Sequence, residues 1–167
     1  AKENKTRISF DPNIRPELLD GDLMHYYHDI IKACDVLLTG KSELALLYGD
    51  VEPGVRELLR GKDRIIVCKD GSKGTSVYTR TDAFTISTYP ATEVDPTGAG
   101  DSFDGTFIAM LCEGADLRTA ADYGNAAGAR AVEQRGPMEG NSWREDLDRF
   151  RLQAGARVIT ELELLHG

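Results

Sequence analysis

The stretch Asp95-Pro96-Thr97-Gly98-Ala99-Gly100-Asp101-Ser102-Phe103 gathers residue types that handle anions. Three small residues in a row, Gly98, Ala99 and Gly100, let backbone N–H groups come close to a bound anion, and the apolar run after them makes this the amino end of a helix. Such an end carries unpaired donors and partial positive charge, which suits a phosphate or a developing phosphoryl charge. Asp101 falls in the first turn, where a carboxylate within reach of the bound group can take the proton of an attacking hydroxyl. The plainer alternative is a favourable acid at a helix start behind a tight glycine turn, and spacing alone does not separate the two. Asp104 is a second carboxylate on nearly the same face. The base role goes to Asp101, because the anion-binding peptides immediately precede it, and Asp104 is left to packing or substrate-side polarity.

The elements that must position these residues alternate. Arg7 to Phe10 reads as a short strand stopped by the turn residues Asp11-Pro12-Asn13, and residues 22–33 carry apolar positions at helical spacing. Val36 to Thr39 is a continuous apolar run, as in a strand covered on both faces. Ser42 is placed to cap a short helix through Tyr48, and a second helix begins near Pro53. Arg64 to Lys69 reads as the next buried strand, Gly71 to Gly74 as a turn, and residues 75–79 and 83–87 as a hairpin. Helices follow over residues 102–113 and 117–133, and Ser142-Trp143-Arg144-Glu145 fits a capping box opening a long helix toward Leu165, with Trp143 as its anchor. Strands alternating with helices imply a layered parallel α/β sheet, whose ligands sit beyond the carboxyl ends of the strands.

Composition narrows the classes. The 167 residues are 41% hydrophobic and 29% charged, the balance of one globular domain, which excludes disordered and fibrous chains. Lys and Arg number 20 against 28 Asp and Glu, for a net charge of −8, which argues against a nucleic-acid partner because phosphate contacts need clustered bases. No apolar run approaches the ~20 residues of a membrane span, and no signal-like segment follows residues 1–7, so no membrane partner and a cytoplasmic location are expected. Cys34, Cys68 and Cys112 are widely spaced among apolar neighbours and read as small buried hydrophobes in a reducing compartment. His25 and His28 lie three apart with no evident third ligand, so a solvated helix face is favoured over a metal site, and His166 is a tail residue.

The segment from Asp95 to Phe103 resembles the D-T-x-G-A-G-D-x-F signature of the ribokinase-like carbohydrate kinases, the PfkB family, and four further segments fall in the family's order. Asp11-Pro12-Asn13-Ile14-Arg15 resembles its D-x-N-x-R strand end, Asp35 to Glu43 its strand and N-x-x-E motif, Gly71-Ser72-Lys73-Gly74 its nucleotide loop, and Asn125 to Gly136 its A-N-A-A-A helix ending in glycine. The likeness covers residues 7 to 140 and implies one α/β nucleotide-binding and catalytic portion, with the family's N-terminal half and lid missing. It implies transfer of the γ-phosphate of ATP, with Mg²⁺, to a sugar or sugar-acid hydroxyl. Asp101 would be the base and the N–H groups of Gly98, Ala99 and Gly100 the anion hole. Lys69, Gly71, Ser72, Lys73 and Gly74 would line the nucleotide and Asn125 the adenine. Asp95 and Thr97, with carbonyls around Ala131, Gln134, Gly136 and Gly140, match a monovalent-cation loop, K⁺ in kind. A solvated hairpin charge at Lys73 and a packing role for Asn125 stand as alternatives.

Two departures from the family matter. Gly40-Lys41-Ser42-Glu43 stands where the family has N-x-x-E, so only Glu43 is left to order Mg²⁺ through water, and Lys41 brings a cation where an acid is common. The chain also opens on Ala1 close to the D-x-N-x-R strand, without the part that supplies most sugar contacts. Arg15 is the substrate contact left, resembling an Arg that meets the carboxylate of sugar acids in the 2-keto-3-deoxygluconate kinase branch; a surface Arg is its alternative. A nucleoside kinase of the same fold and a non-catalytic nucleotide- or partner-binding relative are the rival readings, and a homodimer is compatible with any of them.

Overall fold

The computed structural model describes residues 2–19 and 21–165, so Ala1, Asp20, His166 and Gly167 lie outside the described residues. Strands β1 (Ser9–Phe10), β2 (Val36–Gly40), β3 (Ile65–Lys69), β4 (Thr75–Tyr78), β5 (Ala83–Ile86) and β6 (Ile159–Glu161) form one sheet in that order. The first three are parallel, with Phe10 opposite Leu37 and Leu37 opposite Ile66. Helices α1 (Gly21–Ala33), α2 (Lys41–Tyr48), α3 (Val51–Leu59), α4 (Ala99–Cys112), α5 (Leu117–Val132) and α6 (Arg144–Ala154) connect them, giving the expected α/β fold.

The chain forms two compact units. One takes the residues up to Asp70, Ser76–Phe84 and those from Glu161 on; the other takes Gly71–Thr75 and Thr85–Thr160. In the first, β2 is apolar without interruption because it is covered on both faces, and Leu37 and Ile66 pack with Ile31, Leu44, Val55 and Leu58 in one core. Two cations close the end of α1. Arg64 donates to the carbonyls of Ile31 (2.7 Å) and Lys32 (3.2 Å), and Lys62 donates to those of Lys32, Ala33 and Cys34. Positive charge at a helix C-terminus meets both the free carbonyls and the dipole. In the second unit α4 and α5 are the core pair. The Phe103 ring lies on Gly124, and it stacks with Phe107 at a centroid distance of 6.0 Å.

Several boundaries differ from the sequence expectation. Helix α2 is capped by Gly40 and not by Ser42, because Glu43 bonds back to the Gly40 N–H and moves the start forward. Helix α6 is capped by Trp143 without a side-chain bond, and Trp143 is 81% exposed, so it anchors nothing among the described residues. That helix stops at Ala154 before Gly155, and the chain continues into β6. Cys34 and Cys68 are buried, and burial pushes their thiols up, that of Cys68 to about 11; Cys112 is exposed at the end of α4. His25 pairs with Asp29 at 3.3 Å, and His28 meets the Tyr48 ring edge-on.

Candidate active site

Helix α4 begins at Ala99, three residues before the apolar periodicity of Ser102–Glu113 becomes visible. Its cap is Gly98 in the left-handed conformation, φ +80°. A Cβ there would run into the Pro137 carbonyl, so both backbone angle and space demand glycine. The Ala99 N–H donates to the Pro96 carbonyl at 3.2 Å, and that of Ser102 to Gly98 at 2.9 Å. Among the described residues the N–H groups of Gly98, Gly100 and Asp101 meet no protein acceptor. The open donors are thus Gly98, Gly100 and Asp101, while Ala99 is turned into the preceding turn. The Asp101 side chain is exposed in the first turn, and Asp104 is half-buried one turn on.

Asp95 ties this loop to the end of α5. Its Oδ1 accepts the Thr97 N–H and its Oδ2 the Gly136 N–H, both at 3.0 Å, and the N–H groups of Val94 and Asp95 donate to the Val132 carbonyl. The Thr97 hydroxyl, with the N–H groups of Thr97 and Gly136, holds the Asp95 carboxyl down to about 2. The chain then returns on itself: Gly140 lies against the Ala131 backbone, so close that a Cβ would sit 2.5 Å from the Ala131 Cα. Asp95, Thr97, Ala131, Gln134, Gly136 and Gly140 are therefore brought into one loop cluster within the second unit. Among the described residues no group of three or more His, Cys, Asp or Glu side chains is placed to hold a metal.

The glycine turn belongs to the same unit. Gly71–Lys73 is one turn of 3₁₀ helix closed by the Gly74 N–H on the Gly71 carbonyl, 3.1 Å, with Ser72 and Lys73 exposed. Gly74, φ +98°, lies so close to β5 that a Cβ would overlap the Ile86 carbonyl oxygen. Asn125 is 4% exposed and engaged on all sides. Its Oδ1 accepts the Thr75 hydroxyl at 2.8 Å, and its Nδ2 donates to the carbonyls of Ile86 (3.3 Å) and Ser87 (3.4 Å). The amide group that the family resemblance puts beside adenine is, in this fold, a peg between α5, the glycine turn and β5.

In the first unit Glu43 is the organising group. Its Oε1 accepts the Ile14 N–H at 2.5 Å, and its Oε2 the Gly40 N–H at 2.6 Å and the Thr39 hydroxyl at 3.2 Å. One carboxylate thereby starts α2 and holds the loop that carries Arg15, whose side chain is exposed. Lys69 is paired with Asp11 at 3.2 Å, and Lys41 with Asp70 at 3.0 Å, next to Gly71 in the chain. The unexpected cation is thus matched by an acid that the sequence reading left aside.

Sequence reasoning also passed over a polar cluster in the second unit. A cleft of about 750 Å³ is lined by residues that include Tyr89, Asp122, Tyr123, Asp148, Arg151 and Arg157. Arg151 and the Tyr89 hydroxyl meet on Asp122, Tyr123 donates to Asp148, and Arg151 lies 3.7 Å over the Tyr123 ring. Burial and the Asp122 bond push Tyr89 up to about 12. No spacing signal marks these residues as one group, because they come from two helices, α5 and α6, and from the two loops that carry Tyr89 and Arg157.

Comparison with known proteins follows the same lines. Residues 1–144 match the model of the pfkB family carbohydrate kinases. The chain is 33% identical over 148 residues to a 2-dehydro-3-deoxygluconokinase of Bacillus subtilis, covering 86% of this chain and 46% of that one. Its structure is similar to that of a ribokinase-II-type protein of E. coli in complex with ATP and Mg²⁺ (TM-score 0.86, 39% identity, 91% of this chain and 50% of that one). It is also similar to a Vibrio cholerae fructokinase double mutant with fructose, ADP and potassium ion (TM-score 0.78, 28% identity, 86% and 50%). The chain spans about half the length of the relatives it matches. With the motifs, the fold and the family model in agreement, the chain belongs to the pfkB family of carbohydrate kinases.

Proposed function

We propose that the chain is the ATP-binding and phosphoryl-transfer part of a kinase acting on a hydroxyl of a sugar or sugar acid. The observation that supports this most is the first turn of α4, where the open N–H groups of Gly100 and Asp101 and the exposed Asp101 carboxylate stand together. The N–H groups would stabilise the charge on the transferring phosphoryl group, and Asp101 would take the acceptor hydroxyl's proton. Gly71, Ser72, Lys73 and Gly74 would border the nucleotide phosphates. Asn125 would act behind them by holding Thr75, and Lys69 would contribute through its pair with Asp11. Arg15, exposed, would meet the carboxylate of a sugar acid.

The donor set fits the implied cations in part. Glu43 already accepts three hydrogen bonds, so it suits Mg²⁺ through an ordered water rather than by direct ligation, as Mg²⁺ keeps much of its hydration. Bound Mg²⁺ supplies charge neutralisation at the phosphates. A monovalent cation such as K⁺ would rest in the cluster of Asp95, Thr97 and the carbonyls of Ala131, Gln134, Gly136 and Gly140. A small-molecule substrate without nucleic acid agrees with the net charge of −8. No helix among the described residues is long and apolar enough to cross a membrane.

A second reading, nucleotide binding without turnover, is favoured by one observation. Gly40 and the Lys41–Asp70 pair replace the family's polar motif beside Glu43. Calorimetry with ATP and Mg²⁺, run beside a turnover assay over sugars, sugar acids and nucleosides, separates the readings. Binding with transfer to a sugar or sugar acid supports the first, transfer to a nucleoside alone moves the substrate class, and binding without transfer to any acceptor supports the second.

A further inference from the structure

We propose that the C-terminal segment Arg157–Thr160, which follows the family-matched residues, is a positioning element for the Gly71–Gly74 turn. The proposal rests on the nucleotide reading for its purpose, but its contacts stand on their own. Ser87 and Val158 exchange two hydrogen bonds: the Ser87 N–H donates to the Val158 carbonyl at 2.9 Å, and the Val158 N–H to the Ser87 hydroxyl at 3.0 Å. The Arg157 guanidinium then spans both segments. It donates to the Thr88 carbonyl (3.2 Å) on one side and to those of Ala154 (2.6 Å) and Gly155 (3.2 Å) on the other, and it lies 4.2 Å over the Tyr89 ring. A planar, multiply donating cation stacked on an aromatic face loses little freedom for each bond it makes.

Residues 86–88, held from outside in this way, are the floor of the glycine turn. The Ile86 oxygen, Ser87 Cα and Thr88 nitrogen are the three atoms that a Cβ on Gly74 would meet first. The Ile86 and Ser87 carbonyls are also the acceptors of the Asn125 amide, which in turn accepts the Thr75 hydroxyl. Every residue in this series lies in one compact unit. Without the terminal segment β5 would be an edge strand with its hydrogen-bonding groups open, and the backbone under Gly74 would be tied on one side only. Local opening, and not global unfolding, is the expected consequence.

The test is amide hydrogen exchange on the 167-residue chain and its Arg157→Ala and Arg157→Lys variants, together with ATP affinity. Arg157→Ala should speed exchange of the Gly74 amide by about tenfold, leave the amides of α1 and α4 unchanged, and weaken ATP binding by several-fold; Arg157→Lys, which cannot span both segments, should fall between. Val158→Pro, which removes the N–H donated to the Ser87 hydroxyl while keeping the Arg157 side chain, should give the same pattern. Faster exchange confined to residues 157–162, or uniform acceleration across both units, overturns the proposal. If the parent chain binds no ATP, the nucleotide reading fails, and the exchange pattern at Gly74 alone decides whether the segment positions the turn.

Discussion

The carbonyl oxygen of Pro137 stands where a Cβ of Gly98 would have to go. The residue that starts α4 is therefore held from the loop after α5, and Asp95 binds the same two segments through Thr97 and Gly136. This double tie holds the segment that carries the open N–H groups.

Replacing Gly98 with Ala should combine a left-handed alanine, roughly 1–2 kcal/mol, with an overpacking cost of about 1–3 kcal/mol. Gly61→Ala is the control: φ is +69° there, but nothing lies within 4 Å of the new Cβ, so only the first cost applies. Urea midpoints of the two variants should differ clearly, and equal midpoints would remove the Pro137 contact from the account.

The Asp95 carboxyl sits at about 2 when folded, against an ordinary 3.8. Because the folded value is the lower, its contribution to stability is complete above 3.8 and is lost as pH falls toward about 2. Melting temperatures of the parent chain and Asp95→Asn should converge across that window as pH drops. Parallel curves would show that the carboxylate bonds contribute nothing.

Asn125→Ala leaves the Thr75 hydroxyl, the buried Ile86 carbonyl and the part-buried Ser87 carbonyl without their partner, which should cost about 1–3 kcal/mol. Asn125→Asp is the sharper variant. Its carboxylate would face the Ile86 and Ser87 carbonyls, so it should be less stable than the alanine variant at neutral pH. It should recover as acid protonates it and restores a donor. Thermal melts over a pH series read this directly, and a pH-independent difference would count against the peg.

Glu43→Gln should destabilise the chain by about 1–3 kcal/mol, since the amide can accept at only one of the two positions where Ile14 and Gly40 donate. Chemical denaturation with far-ultraviolet dichroism measures it, and an unchanged midpoint would mean that the carboxylate does not hold the loop.

Much of this was legible in residue order. The apolar run Val36–Thr39 and the glycines before Asp101 carry local signals, so β2 and the start of α4 could be placed by pattern. Ala99 donating to Pro96, the Asn125 peg and the Glu43 tie could not, because each depends on which distant backbone group the fold delivers. The short β6 was hidden for another reason. Its three residues are exposed and lack alternation, and the helical pattern from Arg144 runs on past Gly155.

The central claim is that Asp101 takes the proton while the α4 amides hold the phosphoryl charge. Steady-state phosphoryl transfer from ATP, measured for the parent chain and Asp101→Asn over a panel of sugars and sugar acids, tests it most directly. A loss of about 10²–10⁴ in kcat, with ATP affinity kept or raised by removal of a negative charge, is the predicted result. Turnover by Asp101→Asn equal to that of the parent chain would contradict it.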